Sequence, residues 1–190
     1  MWLTYFQQPH NHRYEGKSVA EIAELMGEQP VDALCDLLLD EDLQVSFVMA
    51  GVNGKTLPQF VTHPMSMVGS DALLIGDFPS PRSYGTFPTI LAEYVREERH
   101  MDLPEAIRKM TSFPAQRLGI LNRGLLKDNM SADVVIFDPK RVGAPATRSE
   151  PKQFAIGINY VIVNGSIVVE DGTHTGALAG QTIRRGRNGD

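Results

Sequence analysis

A chain of 190 residues, 42% hydrophobic, 22% charged and 7% aromatic, has the composition of a folded domain, which excludes a disordered segment. It falls short of the ~250 residues of a complete (β/α)8 barrel. Its 18 basic and 23 acidic residues leave a net charge of -5, which repels a phosphate backbone and speaks against nucleic-acid binding.

The first 17 residues read as polar and irregular after an aromatic start, Trp2 to Phe6, which lacks the basic start and long apolar core of a secretion signal. His10-Asn11-His12 is an H-x-H sequence; on a strand both histidines share a face and can share a metal, but Gln7-Gln8-Pro9 before it reads as a polar loop. Ser18-Val19-Ala20-Glu21 is a capping box that opens a helix running to about Gly27, with Val19, Ile22, Ala23 and Met26 on its inner face. Pro30 suits the first turn of a second helix, Val31 to Leu39. Within it lies the single cysteine, Cys35, which excludes an intrachain disulfide and in this apolar run reads as a small core residue.

Val45 to Met49 reads as a strand, residues 51–54 as a turn, and Thr56-Leu57-Pro58 as the start of a short helix ending near His63, a structural or capping histidine. Met65 to Gly69 is a short apolar run followed by Ser70-Asp71, predicting a buried strand that ends in a carboxylate. A long loop over 72–84 follows, and then helices over 87–99, from Asp102 with Ala106, Ile107 and Met110 inward, and over 114–118. His100 and His174 read as exposed. Ala132 to Phe137 is a strand closed by Pro139. Tyr160 to Val163, Asn164-Gly165 and Ser166 to Val169 form a hairpin, because Asn-Gly supplies the two positive φ values of a type I′ turn. Three arginines, at 184, 185 and 187, read as a solvated end. No apolar stretch reaches the ~20 residues of a membrane span.

Asp71 is the sharpest chemical candidate. A carboxylate at the end of a strand in an α/β sheet, before a Gly/Pro-bearing loop, fits a catalytic acid or base or a metal ligand; it fits equally a turn aspartate. Arg82, eleven residues on, could hold an anionic substrate through its fork. Gly51 to Thr56 lacks the leading glycine of a phosphate-binding loop, and no Gly-x-Ser-x-Gly elbow is present.

Several blocks together resemble the N-acyl-D-amino-acid deacylases of the amidohydrolase superfamily. They are His63-Pro64, Met67-Val68-Gly69-Ser70-Asp71, Pro81-Arg82, Tyr84-Gly85-Thr86-Phe87-Pro88, Ile107 to Thr111 and Ala115 to Gly119. Arg123-Gly124-Leu125-Leu126 with Ala132 to Pro139 resembles the superfamily's return strand, Val163-Asn164-Gly165 its closing hairpin, and Tyr14 to Ala23 the family's insertion. The resemblance implies an α/β fold: the C-terminal part of a (β/α)8 barrel with its insertion over 1–118, then part of a β-sandwich over 119–190. It implies zinc-dependent hydrolysis of an N-acyl-D-amino acid, with Asp71 at the metal as ligand and proton carrier and Arg82 on the substrate carboxylate. Ala72, Ser80 and Asn129 depart from the family's usual residues; Asn tolerates the left-handed backbone that glycine would take at 129. The family's early H-x-H strand and its later Cys and His ligands have no counterpart here, and neither His10, His12 nor Cys35 matches them. The expectation is a cytoplasmic piece of a longer deacylase that self-associates or is completed by an N-terminal part. The alternatives are a non-catalytic remnant and a hydantoinase- or dihydroorotase-like enzyme.

Overall fold

The computed structural model describes residues 1–49 and 54–184. The turn expected at 51–54 falls outside them except for Gly54, as does the basic end beyond Arg184. The described residues belong to two compact units, neither a continuous stretch of chain. One draws on Met1–Asn53, Ser70–Gly85 and Pro145–Phe154, the other on Gly54–Gly69, Thr86–Ala144 and Ala155–Asp190.

In the first unit, strand β1 (Trp2–Tyr5) pairs antiparallel with β2 (Ser46–Val48), Leu3 opposite Phe47. The aromatic start is therefore a strand, ordered by a partner more than forty residues away. A 3-10 helix, Pro9–Tyr14, follows. Glu41, 1% exposed, accepts from the backbone N–H of Gln7 and Gln8 and from the Asn11 amide, so a buried carboxylate fixes the entry to that helix. Helix α1 (Val19–Met26) has the capping box read from sequence: Ser18 Oγ accepts from Glu21 N and Glu21 Oε2 from Ser18 N. It stops at Gly27, φ 73°. Ile22 and Ala23 are buried, and Val19 and Met26 pack against the core of Leu3, Phe6, Tyr14, Ile22 and Leu37. Helix α2 (Pro30–Asp40) buries Ala33 and Leu37. Cys35 is exposed, contrary to the core reading, because the apolar run goes round the helix and only the Ala33–Leu37 side meets the core.

In the second unit, α3 (Leu57–Thr62) is followed by a segment without regular structure. The buried strand expected at 65–69 does not form. A strand needs neighbours for its backbone groups, but this run bonds from Ser66 N back to His63 O at 3.0 Å, as a turn does, and from Val68 N to Lys109 O of a helix at 3.2 Å. Met65 is 73% exposed. Helix α4 (Arg82–Thr89) begins in the first unit and leads into Ile90–Glu97, which is wound wider: Glu98 N donates to Glu93 O five residues back, at 2.7 Å. Helices α5 (Leu103–Met110) and α6 (Ser112–Leu118) follow. The core gathers Ile90, Leu91, Tyr94, Ala106 and Val142, with Ile107 and Met110 packed against it.

Strands β3 (Val134–Phe137), β4 (Ile158–Val163), β5 (Ser166–Glu170) and β6 (Thr173–His174) form an antiparallel sheet in that order. Val135 faces Val161, and the β4–β5 turn has Asn164 at φ 49° and Gly165 at φ 81°, the type I′ geometry expected of Asn-Gly. Arg123 bonds both Asp133 and Asn164 and ties the return strand to that turn. Asn129 takes φ 64°, the left-handed backbone foreseen for it. Among the described residues both sheets are antiparallel, and no helix is long and apolar enough to cross a membrane.

Candidate active site

The loop of the first unit that starts at Ser70 is held at several points. Gly76, φ 75°, crosses β1 so closely that a Cβ there would lie 2.3 Å from Thr4 O; only glycine fits both the backbone angle and the gap. Asp77 N donates to Glu15 Oε2 at 3.3 Å, and Lys152 Nζ donates to Asp77 Oδ1 at 2.7 Å. That bond holds the Asp77 carboxyl below its ordinary pKa. Phe78 lies against Gly16, which leaves no space for a side chain at position 16. Further on, Ser83 Oγ donates to Leu73 O at 3.2 Å, pinning the loop to the first turn of α4.

These anchors bring the two residues singled out from sequence into contact. Arg82 Nη2 donates to Asp71 Oδ2 at 2.9 Å. Arg82 is positioned as the first residue of α4, directly after Pro81, where Gly85 N bonds back to Pro81 O at 3.0 Å. Asp71 takes φ 47°, a left-handed backbone that Asp and Asn tolerate better than most residues. Its side chain is 86% exposed and that of Arg82 53%, so the pair contributes about 0–1 kcal/mol to stability. A contact this weak opens readily to a competing ligand.

The histidines do not join it. His10 Nε2 lies 2.6 Å from Asp40 Oδ2 and, with the Asn11 amide, holds the Asp40 carboxyl below its ordinary pKa. His12 Nε2 lies 3.1 Å from Phe6 O. From a 3-10 turn the H-x-H pair therefore serves two different partners, Asp40 and the Phe6 carbonyl. His63 closes α3 and accepts from Met65 N at Nδ1, 3.2 Å. His100 pairs with Glu98 at 2.7 Å, and His174 accepts from Gly176 N at 2.9 Å. Among the described residues no three His, Cys, Asp or Glu side chains come together as a metal cage. The residues present do not by themselves fit a zinc ion: Asp71 is a single donor, open to solvent and turned to an arginine.

Sequence reasoning overlooked the anchors. Gly76 and Ser83 carry ordinary loop composition, and what singles them out is a backbone or carbonyl passing close in space. It also overlooked Lys109 of the second unit. This lysine is wholly buried and donates through Nζ to His63 O, to Ser66 O at 3.1 Å and to Ser66 Oγ at 2.9 Å. Desolvation pushes its pKa down. A lysine on α5 beside Ala106 and Met110 was the available signal.

Residues 3–169 match the model of the amidohydrolase family. An N-acyl-D-aspartate deacylase of Alcaligenes xylosoxydans xylosoxydans is 38% identical over 170 residues, which are 86% of this chain and 34% of the relative. A D-aminoacylase crystal structure superposes with a TM-score of 0.84 at 32% identity, covering 97% of this chain and 37% of that one. The N-acyl-D-glutamate deacylase of Bordetella bronchiseptica, solved with zinc and a phosphonate mimic of the tetrahedral intermediate, gives 0.77 at 36% identity, covering 88% of this chain and 34% of its own. The chain spans about a third of the length of these relatives.

Proposed function

The chain belongs to the amidohydrolase family, and from that premise we propose that it is the portion of an N-acyl-D-amino-acid deacylase that carries the proton-transfer carboxylate, Asp71, and the clamp for the substrate carboxylate, Arg82. Residues 1–118 are then the last part of a (β/α)8 barrel with its insertion, and 119–190 part of an accessory β-sandwich. The reaction converts an N-acyl-D-amino acid and water into a D-amino acid and a carboxylate, in the cytoplasm. The D configuration rests on the names of the relatives.

The observation that carries the reading is the 2.9 Å contact between Arg82 and Asp71. In an N-acyl amino acid the amide nitrogen lies two bonds from the carboxyl carbon. A substrate whose carboxylate takes the guanidinium fork therefore brings its scissile nitrogen close to a carboxylate that touches the same guanidinium. Water adds to the acyl carbon, Asp71 accepts a proton from it, and the same proton passes to the nitrogen as the C–N bond breaks. The zinc held by the Bordetella deacylase structure has no cage among the described residues. The other ligands would have to come from a complementing N-terminal part. That donor set equally favours a second reading, a remnant without catalysis.

The test is zinc content and hydrolysis of N-acetyl-D-methionine, measured for the chain alone and for the chain combined with a polypeptide covering the remaining two thirds of a deacylase. The proposal expects zinc and turnover only in the combination. There Asp71→Asn lowers turnover by roughly 10²–10⁴-fold with zinc retained, and Arg82→Ala raises KM for the free acid far more than for the substrate's amide. Normal turnover by the Asp71→Asn protein, or equal losses on acid and amide, overturns the assigned roles. A combination that assembles and stays inactive establishes the remnant.

A further inference from the structure

The face of α2 turned away from the core carries an apolar row open to solvent. Val31, Cys35 and Leu39 stand at i, i+4 and i+8 and therefore form one row on the helix. Val31 is 72% and Leu39 74% exposed, and Leu43 just beyond the helix is 72% exposed; Cys35 is exposed as well. A surface helix ordinarily gives this side to polar residues.

Beside that row runs a second one, Asp32, Asp36 and Asp40, at the same spacing. Asp40 is taken up by His10 and Asn11. Asp32 and Asp36 make no hydrogen bond or ion pair among the described residues. The charge is regional: residues 18–54 hold eight of the 23 carboxylates and none of the 18 Lys and Arg, while the rest of the chain carries a net charge of +3.

We propose that this face of α2 docks a basic amphipathic helix of another polypeptide, whose apolar stripe covers Val31, Cys35 and Leu39 while its Lys or Arg flank meets Asp32 and Asp36. Charge selects the occupant. A second copy docking through this face would bring together two regions that hold carboxylates and no Lys or Arg, which is repulsive. The row from Val31 to Leu39 is ~12 Å long at 1.5 Å per residue, the length of two to three turns of a partner laid along it, and helix-in-groove recognition reads anchors at this spacing. The core side of α2, Ala33 and Leu37, is already buried, so the docking face is a separate surface.

The probe is an 18-residue amphipathic peptide of leucine and lysine, with a counterpart in which glutamate replaces lysine. Each is titrated by fluorescence anisotropy against the purified chain at physiological salt. The Leu/Lys peptide should bind about tenfold tighter or more. Val31→Gln with Leu39→Gln should lose about tenfold in affinity, and so should Asp32→Asn with Asp36→Asn. Circular dichroism should match the parent, because all four side chains are exposed. Undiminished binding by the Val31→Gln/Leu39→Gln protein overturns the proposal, reducing the effect to general attraction by an acidic surface. So does absence of saturable binding. If the parent chain is an oligomer that these two substitutions convert to a monomer, a second copy covers the row and the proposal is likewise refuted.

Discussion

Replacing Lys109 by methionine keeps most of the buried stem and removes the ammonium. The parent side chain is 0% exposed and its Nζ serves three acceptors, His63 O, Ser66 O and Ser66 Oγ, with Glu105 Oε1 at 3.8 Å. Hydrogen bonds to a charged group contribute about 1.5–3 kcal/mol each, while burying the ammonium costs several kcal/mol, so the gross sum of three bonds overstates the loss. The substitution leaves two carbonyls and a hydroxyl without their donor, and stranding neutral acceptors of this kind costs about 1–3 kcal/mol. Against a typical total of about 5–15 kcal/mol that is a measurable fraction, and at about 2–4 °C per kcal/mol for a chain of this size it lowers the melting temperature by several degrees. Lys109→Ala should lose roughly 2 kcal/mol more, because it also deletes the stem at about 0.8 kcal/mol per methylene. The assay is urea unfolding with calorimetry, paired with amide exchange at Val68, whose N–H bonds to Lys109 O. A Lys109→Met protein within about 0.5 kcal/mol of the parent, the scatter of ordinary surface substitutions, would refute the reasoning. The lysine would then be tolerated at this position, and its stem, not its charge, would hold the 63–68 segment.

Two other outcomes follow from local geometry. Gly76→Ala meets both a φ of 75° and a backbone oxygen at 2.3 Å, so it should cost clearly more than Gly27→Ala, whose Cβ meets nothing within 4 Å and whose penalty is about 1 kcal/mol; equal midpoints in urea would contradict this. Glu21 has its pKa lowered from 4.5 to about 2, first by the Ser18 backbone N–H, then by Ser18 Oγ and Arg148. A depressed folded pKa means the contribution is present above pH 4.5 and is lost as pH falls toward 2. Glu21→Gln retains an acceptor for the cap and should flatten stability against pH in that window, as read by acid titration of the circular dichroism signal; an unchanged profile would place the acid sensitivity elsewhere.

Local signals carried through where the chain interacts with itself over a few residues. Ser18 and Glu21 cap α1, Gly27 ends it, and Asn164-Gly165 turns the hairpin, because a cap or a tight turn is completed within three or four positions. Asp71 and Arg82 were also legible, since eleven residues of loop bring a helix start back to the turn before it. The errors share one cause. Trp2 to Tyr5 became a strand because Ser46 to Val48 lies beside it, and Met65 to Gly69 did not because the described residues give it no strand to pair with. Cys35 lies in an apolar run that nothing local assigns to one side of the helix, and it faces solvent because Ala33 and Leu37 take the side that meets the core.

By itself, then, the sequence determined the two ends of α1, the hairpin and the family blocks, while α4 starts at Arg82, inside the loop expected over 72–84. Only the tertiary structure decided which apolar residues are buried, that Glu41 and Lys109 are charges enclosed among backbone groups, and that Asp71 meets Arg82 at 2.9 Å in the open. The physical reason is range. Backbone angles and short-range bonds are set by neighbouring residues, whereas burial, desolvation and the pairing of strands depend on which distant residues arrive at the same place.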